Sequence, residues 1–236
     1  MILKALLRRT PFWRPLLHNG LWRLPPALAR VGGRGQVLLS FDDGPTEASL
    51  AISRILEAHG ARGLFCLVGQ GLPRDAAAPS PKEARALALV KELQRGGHAL
   101  AVHGLDHGRL GLRAPRRVTR ELAEAAHRLE EATGLRPFFQ RPPYGHWMPW
   151  LGRASRRAGL LPLFWSLNAL DYRATRAADI VEPVLALVRA GDILLLHCSG
   201  PGQEHTRAAL PQILEGLRAK GLQVLDPGAL LESLHA

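Results

Sequence analysis

Gln36-Val37-Leu38-Leu39-Ser40-Phe41-Asp42-Asp43-Gly44-Pro45 sets a mostly apolar run against two adjacent acids and a turn. A short, nearly continuous apolar segment with little alternation reads as a strand covered on both faces, as in parallel sheets. Outward from it, further short apolar runs at 63–68, 99–103, 138–140, 163–167, 192–197 and 222–225 read as strands. Between them, helical periodicity covers 47–59, 81–95, 118–133, 152–157, 178–189 and 206–220. Gly60, Gly96, Gly134, Gly191 and Gly221 follow these segments, where a left-handed residue ends a helix. Repeated strand–helix units imply an α/β fold with both faces of a parallel sheet covered. About seven such strands suit a closed or nearly closed barrel better than a flat, doubly wound sheet.

In parallel α/β folds, chemistry collects at the carboxyl ends of the strands. Asp42 and Asp43 follow the first strand, and His103 and His107 the third. Arg141 follows the fourth, Asp171 the fifth, and His197 ends the sixth. Neighbouring side chains of an extended strand point to opposite sides, so the two acids suit different tasks. Asp-Gly-Pro is also good turn chemistry, which alone would account for the pair. Two imidazoles four residues apart suit zinc and similar ions, although among ten histidines such a spacing also arises by chance. An Asp–His–His set leaves coordination positions open for water, as a catalytic site requires. A lone histidine such as His197 is usually a satisfied core residue, but a strand end points it to the shared mouth. The chain has no nucleophile elbow, phosphate-binding loop or dinucleotide fingerprint.

Composition adds limits. At 236 residues, 47% hydrophobic and 22% charged, the chain can build a proper core. No apolar run is long enough to span a bilayer. Cys66 and Cys198 cannot make a disulfide framework, and Cys66 reads as a buried thiol. Residues 1–35 hold seven basic residues and no acid, leaving only +4 of the net +11 for 36–236. Phe12, Trp13, Leu16, Leu17, Leu21 and Trp22 accompany that charge. The arm therefore suits an anionic membrane or cell-wall surface rather than nucleic acid, or else docks on the core. Arg8, Arg9, Pro11 and Arg14 interrupt any secretory h-region, leaving the compartment open.

Ser40-Phe41-Asp42-Asp43-Gly44-Pro45, His103-x-x-x-His107, Arg141-Pro142-Pro143-Tyr144-Gly145, Trp165 leading to Asp171-Tyr172, and Leu194-Leu195-Leu196-His197 follow in order. Together they resemble the five motifs of the polysaccharide deacetylases, carbohydrate esterase family 4, which share the NodB homology domain. The likeness runs over roughly 36–234. It implies a distorted (β/α) barrel over 36–236 and a divalent metal, usually zinc, with Co2+, Ni2+ or Mn2+ as substitutes. It implies Asp43, His103 and His107 as ligands, Asp42 as general base and Arg141 as the group that holds it. Tyr144 would offer its backbone N–H to an oxyanion. His197 would be the general acid, its charge set by Asp171. Pro143, Tyr144, Trp147 and Tyr172 would face the substrate.

The implied activity is removal of N-acetyl groups from the amino sugars of peptidoglycan or a chitin-like glycan by a monomer. That substrate class implies an extracellular or envelope site of action. Alternatives are a deacylase of a lipid-linked sugar at a membrane surface and a sugar-binding protein without turnover. Three positions depart from the family pattern. Gly104 stands where Ser or Thr is usual, Asn168 where an Asp is common, and Tyr172 where the pattern has Trp.

Overall fold

The computed structural model describes residues 30–31 and 35–235. β1 (Gln36–Gly44) is the central strand, buried along most of its length. It pairs in parallel with β2 (Leu64–Leu67) and β7 (Ile193–His197), and its first residues also pair with β8 (Gln223–Val224). Beyond β2 the sheet continues through β3 (Ala99–Val102), β4 (Phe139–Gln140) and β5 (Leu161–Pro162). On the other flank β6 (Leu167–Asn168) pairs with β7, giving the order β5-β4-β3-β2-β1-β7-β6.

β5 and β6 are the two ends of this order, yet only four residues separate them. Extended chain from Pro162 to Leu167 reaches at most roughly 18 Å, so the sheet must curl until its edges nearly meet. The crossing segment is laced to both edges. Leu163 N–H donates to Gln140 O at 2.7 Å and Ser166 N–H to Ile193 O at 3.1 Å. The result is an incompletely closed barrel, as the strand pattern predicts, with the distortion that the family resemblance implies. The reading of 163–167 as one strand is corrected here. That segment bridges two short strands, and it looks like a strand because Leu163 and Phe164 are buried.

Alternation along β1 sorts the core into two layers. Leu38 packs with Leu64, Cys66, Ala101, Phe139 and Ile193. Leu39 and Phe41 face the other way, toward Ile52 and Leu56 of the first helix. The helices are α1 (Glu47–Ala58), α2 (Pro81–Arg95), α3 (Pro115–Thr133), α4 (Leu151–Arg157), α5 (Ala178–Leu187), α6 (Gln203–Ala219) and α7 (Pro227–His235). The first six match the sequence expectation within about three residues at each end, and α7 was not expected. α2 starts at a Ser80–Glu83 capping box, which satisfies two otherwise orphaned N–H groups. α3 starts earlier than periodicity indicates because Pro115 occupies its first turn, where a missing N–H costs nothing. Among the described residues no helix is long and apolar enough to cross a membrane.

Of the basic arm 1–35, only Arg30, Val31 and Gly35 are described; the surface-binding reading concerns residues outside the described ones. Arg30 pairs with Asp192, a buried acid that also accepts from Ser166 Oγ and Arg189 N–H. Val31 is buried and donates its N–H to Gly191 O at 3.0 Å. These contacts lie just before β7, at the end of the strand opposite His197.

Candidate active site

Asp42 lies on the same side of β1 as Leu38 and Ser40, at the carboxyl end of the strand. Its Oδ1 accepts from Arg141 Nη1 at 2.7 Å, and both residues are buried. Arg141 enters after β4, and its Nη2 donates to Phe164 O at 3.2 Å, across the gap between the barrel edges. The Trp165 ring lies under its guanidinium at 5.7 Å. Burial opposes ionisation of Asp42, but Arg141 outweighs it, helped by His103 and His197, and the carboxyl stays below the ordinary range.

Simple alternation would send Asp43 away from Asp42. Instead the pairing of β1 with β2 shifts register between Phe41 and Gly44, and Asp43 takes φ 71°. That bulge turns both acids toward His103, whose Nε2 lies 3.7 Å from Asp42 Oδ2 and 3.3 Å from Asp43 Oδ1. The expectation that the two carboxylates separate by alternation alone is therefore corrected.

His103 Nδ1 donates to the Arg141 carbonyl at 2.9 Å, because a carbonyl can only accept. In the neutral ring Nε2 then turns its lone pair on Asp43. His107, at φ 57°, brings its own Nε2 to 2.9 Å from the same Asp43 oxygen. Asp43 Oδ1 is buried, yet no hydrogen bond is aligned on it. Burial would raise the Asp43 carboxyl, but the two imidazoles reverse this and hold it low, and Asp43 in turn raises His107. The ligand atoms of Asp43, His103 and His107 all lie within 4.8 Å of one another. A buried carboxylate oxygen with no aligned hydrogen bond, set between two imidazole Nε2 atoms at 3.3 and 2.9 Å, marks a place for a cation, and the O,N,N donor set fits zinc and its near neighbours.

Across β1, Asp42 is in register with His197 at the end of β7. His197 Nδ1 donates to Asp171 Oδ1 at 2.7 Å, and its backbone N–H donates to Asp171 Oδ2 at 2.6 Å. Thr206 Oγ1 adds a third donor to Asp171 at 2.8 Å. Burial disfavours the His197 imidazolium, but the bond and charge of Asp171 outweigh it, and its pKa is pushed up to about 9. Thr206 is absent from the sequence reading; nothing in its neighbourhood distinguishes it from a helix-surface threonine until α6 packs against Asp171.

Tyr144 takes φ 61° and is 56% exposed, its ring edge-on to His107 with centroids 4.8 Å apart. Its N–H meets no acceptor among the described residues, whereas the next two amides, of Gly145 and His146, bond back to Pro142 and Pro143. Tyr172 lies edge-on to His197 at 5.3 Å. Pro143 is buried and packs toward Gly104. Trp147 is half-buried, edge-on to Phe164 at 5.5 Å, and it and Trp150 pack against the core. His146 lies exposed beside Tyr144.

Two of the departures have local explanations. Gly104 has φ 73°, and a Cβ there would stand 3.2 Å from Pro143 Cγ. A side chain is strained at that position, so glycine is the residue this backbone suits. Asn168 Oδ1 accepts from Leu170 N–H at 2.9 Å, closing a turn that holds Leu170 at φ 54°.

A parallel barrel whose mouth sets an ionised carboxylate near a charged imidazole has the make-up of a hydrolytic enzyme. Residues 29–162 match the polysaccharide deacetylase family model, and the chain belongs to that family. It is 30% identical over 203 residues to a chitooligosaccharide deacetylase of Azorhizobium caulinodans, covering 80% of this chain and 90% of that one. A peptidoglycan-N-acetylglucosamine deacetylase of Bacillus cereus is 29% identical over 196 residues, covering 78% of this chain and 66% of its own. Among solved structures, a family 4 carbohydrate esterase from Streptomyces lividans in complex with acetate superposes with a TM-score of 0.70. It is 26% identical, over 80% of this chain and 91% of that one.

Proposed function

We propose that the protein hydrolyses the N-acetyl groups of amino sugars in a glycan such as peptidoglycan or a chitin-like polymer, using a divalent ion for which zinc is the best match. One observation carries this reading: Asp42, paired with Arg141, stands in register with His197, paired with Asp171, at one mouth. When bound by Asp43, His103 and His107, the ion supplies Lewis acidity toward water and the acetamide carbonyl. Asp42, ionised and pinned by Arg141, takes a proton from the attacking water. Tyr144 offers its N–H to the oxygen that gains charge as the carbonyl carbon becomes tetrahedral. The His197 imidazolium, oriented by Asp171 and Thr206, gives its proton to the departing sugar nitrogen as the C–N bond breaks. Acetate and a free amino sugar result. A sugar-binding protein without turnover would have no use for this acid–base arrangement. Acetate release from a panel of N-acetylated glycans, measured alongside metal content, tests the proposal; no release from any glycan by zinc-loaded protein contradicts it.

His107→Ala removes one of three ligand side chains. After zinc loading and desalting, elemental analysis is expected to find about one ion per wild-type chain and far less in the variant. Equal retention would exclude His107 from the site.

Asp171→Asn tests the acid. His197 holds its proton because its folded pKa lies above the ordinary value near 6.5, so its acid form is present at neutral pH and lost as pH rises through about 9. The same sign applies to stability: the His197–Asp171 pair stabilises fully below the ordinary pKa, and that contribution fades as pH climbs through about 9. Neutralising Asp171 lowers the His197 pKa, so the basic limb of kcat against pH should move toward neutrality. A basic limb unmoved in Asp171→Asn would remove His197 from the acid role.

A further inference from the structure

Three cation–π contacts are found among the described residues, and all three border the mouth just described. One belongs to Arg141, buried beneath it. The other two are matched pairs on its rim. Arg109 lies 5.5 Å over the Tyr144 ring, which abuts His107; Arg173 lies 5.5 Å over the Tyr172 ring, which abuts His197. Both tyrosines are exposed, at 56% and 38%, and both arginines are exposed.

Neither Arg109 nor Arg173 has a carboxylate partner among the described residues, and the reason is local. In the first loop, Arg113 takes Asp106 and Glu121 at 2.8 and 2.6 Å. In the second, Arg176 takes Asp179 at 3.0 Å. Asp171, the other acid near Arg173, is taken by His197 and Thr206, so the neighbouring acids are all committed elsewhere. A guanidinium drawn over a ring face by its quadrupole still has N–H groups to offer, and its forked edge matches a planar carboxylate in two parallel hydrogen bonds.

We infer that Arg109 and Arg173 make the mouth selective for a carboxylate-bearing glycan, one whose sugars flanking the reacting N-acetyl unit carry acid groups. The inference rests on the deacetylase reading of the same mouth. The positions flank the reacting centre on its His107 and His197 sides, so charge is read on either side of the unit that loses its acetyl group. Each exposed guanidinium–carboxylate pair contributes up to about fivefold, and salt screens it. Two together should give about a tenfold preference at low ionic strength.

The test compares a neutral N-acetylglucosamine oligomer with the same oligomer oxidised at C6 to carry carboxylates. Wild type should show a kcat/KM ratio of about ten in favour of the oxidised oligomer, falling as salt is added. In Arg109→Gln/Arg173→Gln that ratio should collapse toward one. A ratio near one in wild type, or a double variant that keeps the wild-type ratio, would overturn the inference. Calorimetric binding of both oligomers to the Asp42→Asn protein separates this outcome from failure of the deacetylase reading. Charge-selective binding without acetate release by wild type would support the rim assignment and count against the chemistry. Equal binding of the two oligomers would overturn the rim assignment whatever the turnover.

Discussion

Asp42→Asn is expected to cut kcat by about 10²- to 10⁴-fold, the range over which a positioned acid or base contributes. The amide keeps an oxygen for Arg141 Nη1, now 2.7 Å from the carboxylate, so the local geometry has a neutral stand-in. It cannot take a proton from water. Because Asp43, not Asp42, shares the tight cluster with His103 and His107, zinc stoichiometry should be unchanged. Two measurements on one preparation decide the matter: elemental analysis and acetate release. Retention of more than about a tenth of wild-type turnover at full zinc occupancy would exclude Asp42 as the base. Loss of the ion would instead make Asp42 a ligand.

Arg141→Met should carry the largest stability cost. Arg141 and Asp42 are both buried, and removing one partner of a buried pair typically costs about 3–5 kcal/mol by stranding the other charge. Urea unfolding at neutral pH should show that loss. The pH dependence has a definite sign. In the wild type the depressed Asp42 pKa contributes stability above the ordinary carboxylate value, and this is lost as pH falls through the folded pKa. In the variant, burial acts on Asp42 without its main opposing charge, so its carboxyl protonates more readily. The acid limb of activity should rise toward neutrality, and the stability difference should narrow at low pH. Wild-type urea stability together with an unmoved acid limb would show that the pair does not do this work.

These two variants probe one contact that joins residues 99 positions apart, and that separation explains how much was legible in the chain. Strand and helix positions follow from local apolar spacing and from glycine after helices. The side-chain types placed at the carboxyl ends of the strands, Asp42, Asp43, His103, His107, Arg141, Asp171 and His197, follow from the same local reading and from five motifs in order. Local spacing carries no information about register across the barrel. The bulge that turns Asp43 beside Asp42 appears only when β1 is matched to β2. The split of 163–167 into a crossing between β5 and β6 appears only when the sheet curls. Thr206 acquires its partner through the packing of α6 against the strand ends. Arg109 and Arg173 look like ordinary surface charges in the sequence; they stand out once the acids of their loops are seen paired to Arg113 and Arg176. Periodicity and propensity act over a few residues, so they place elements and chemistry along the chain. Hydrogen bonds and charge act over a few ångströms in space, and the fold alone sets which distant residues come that close.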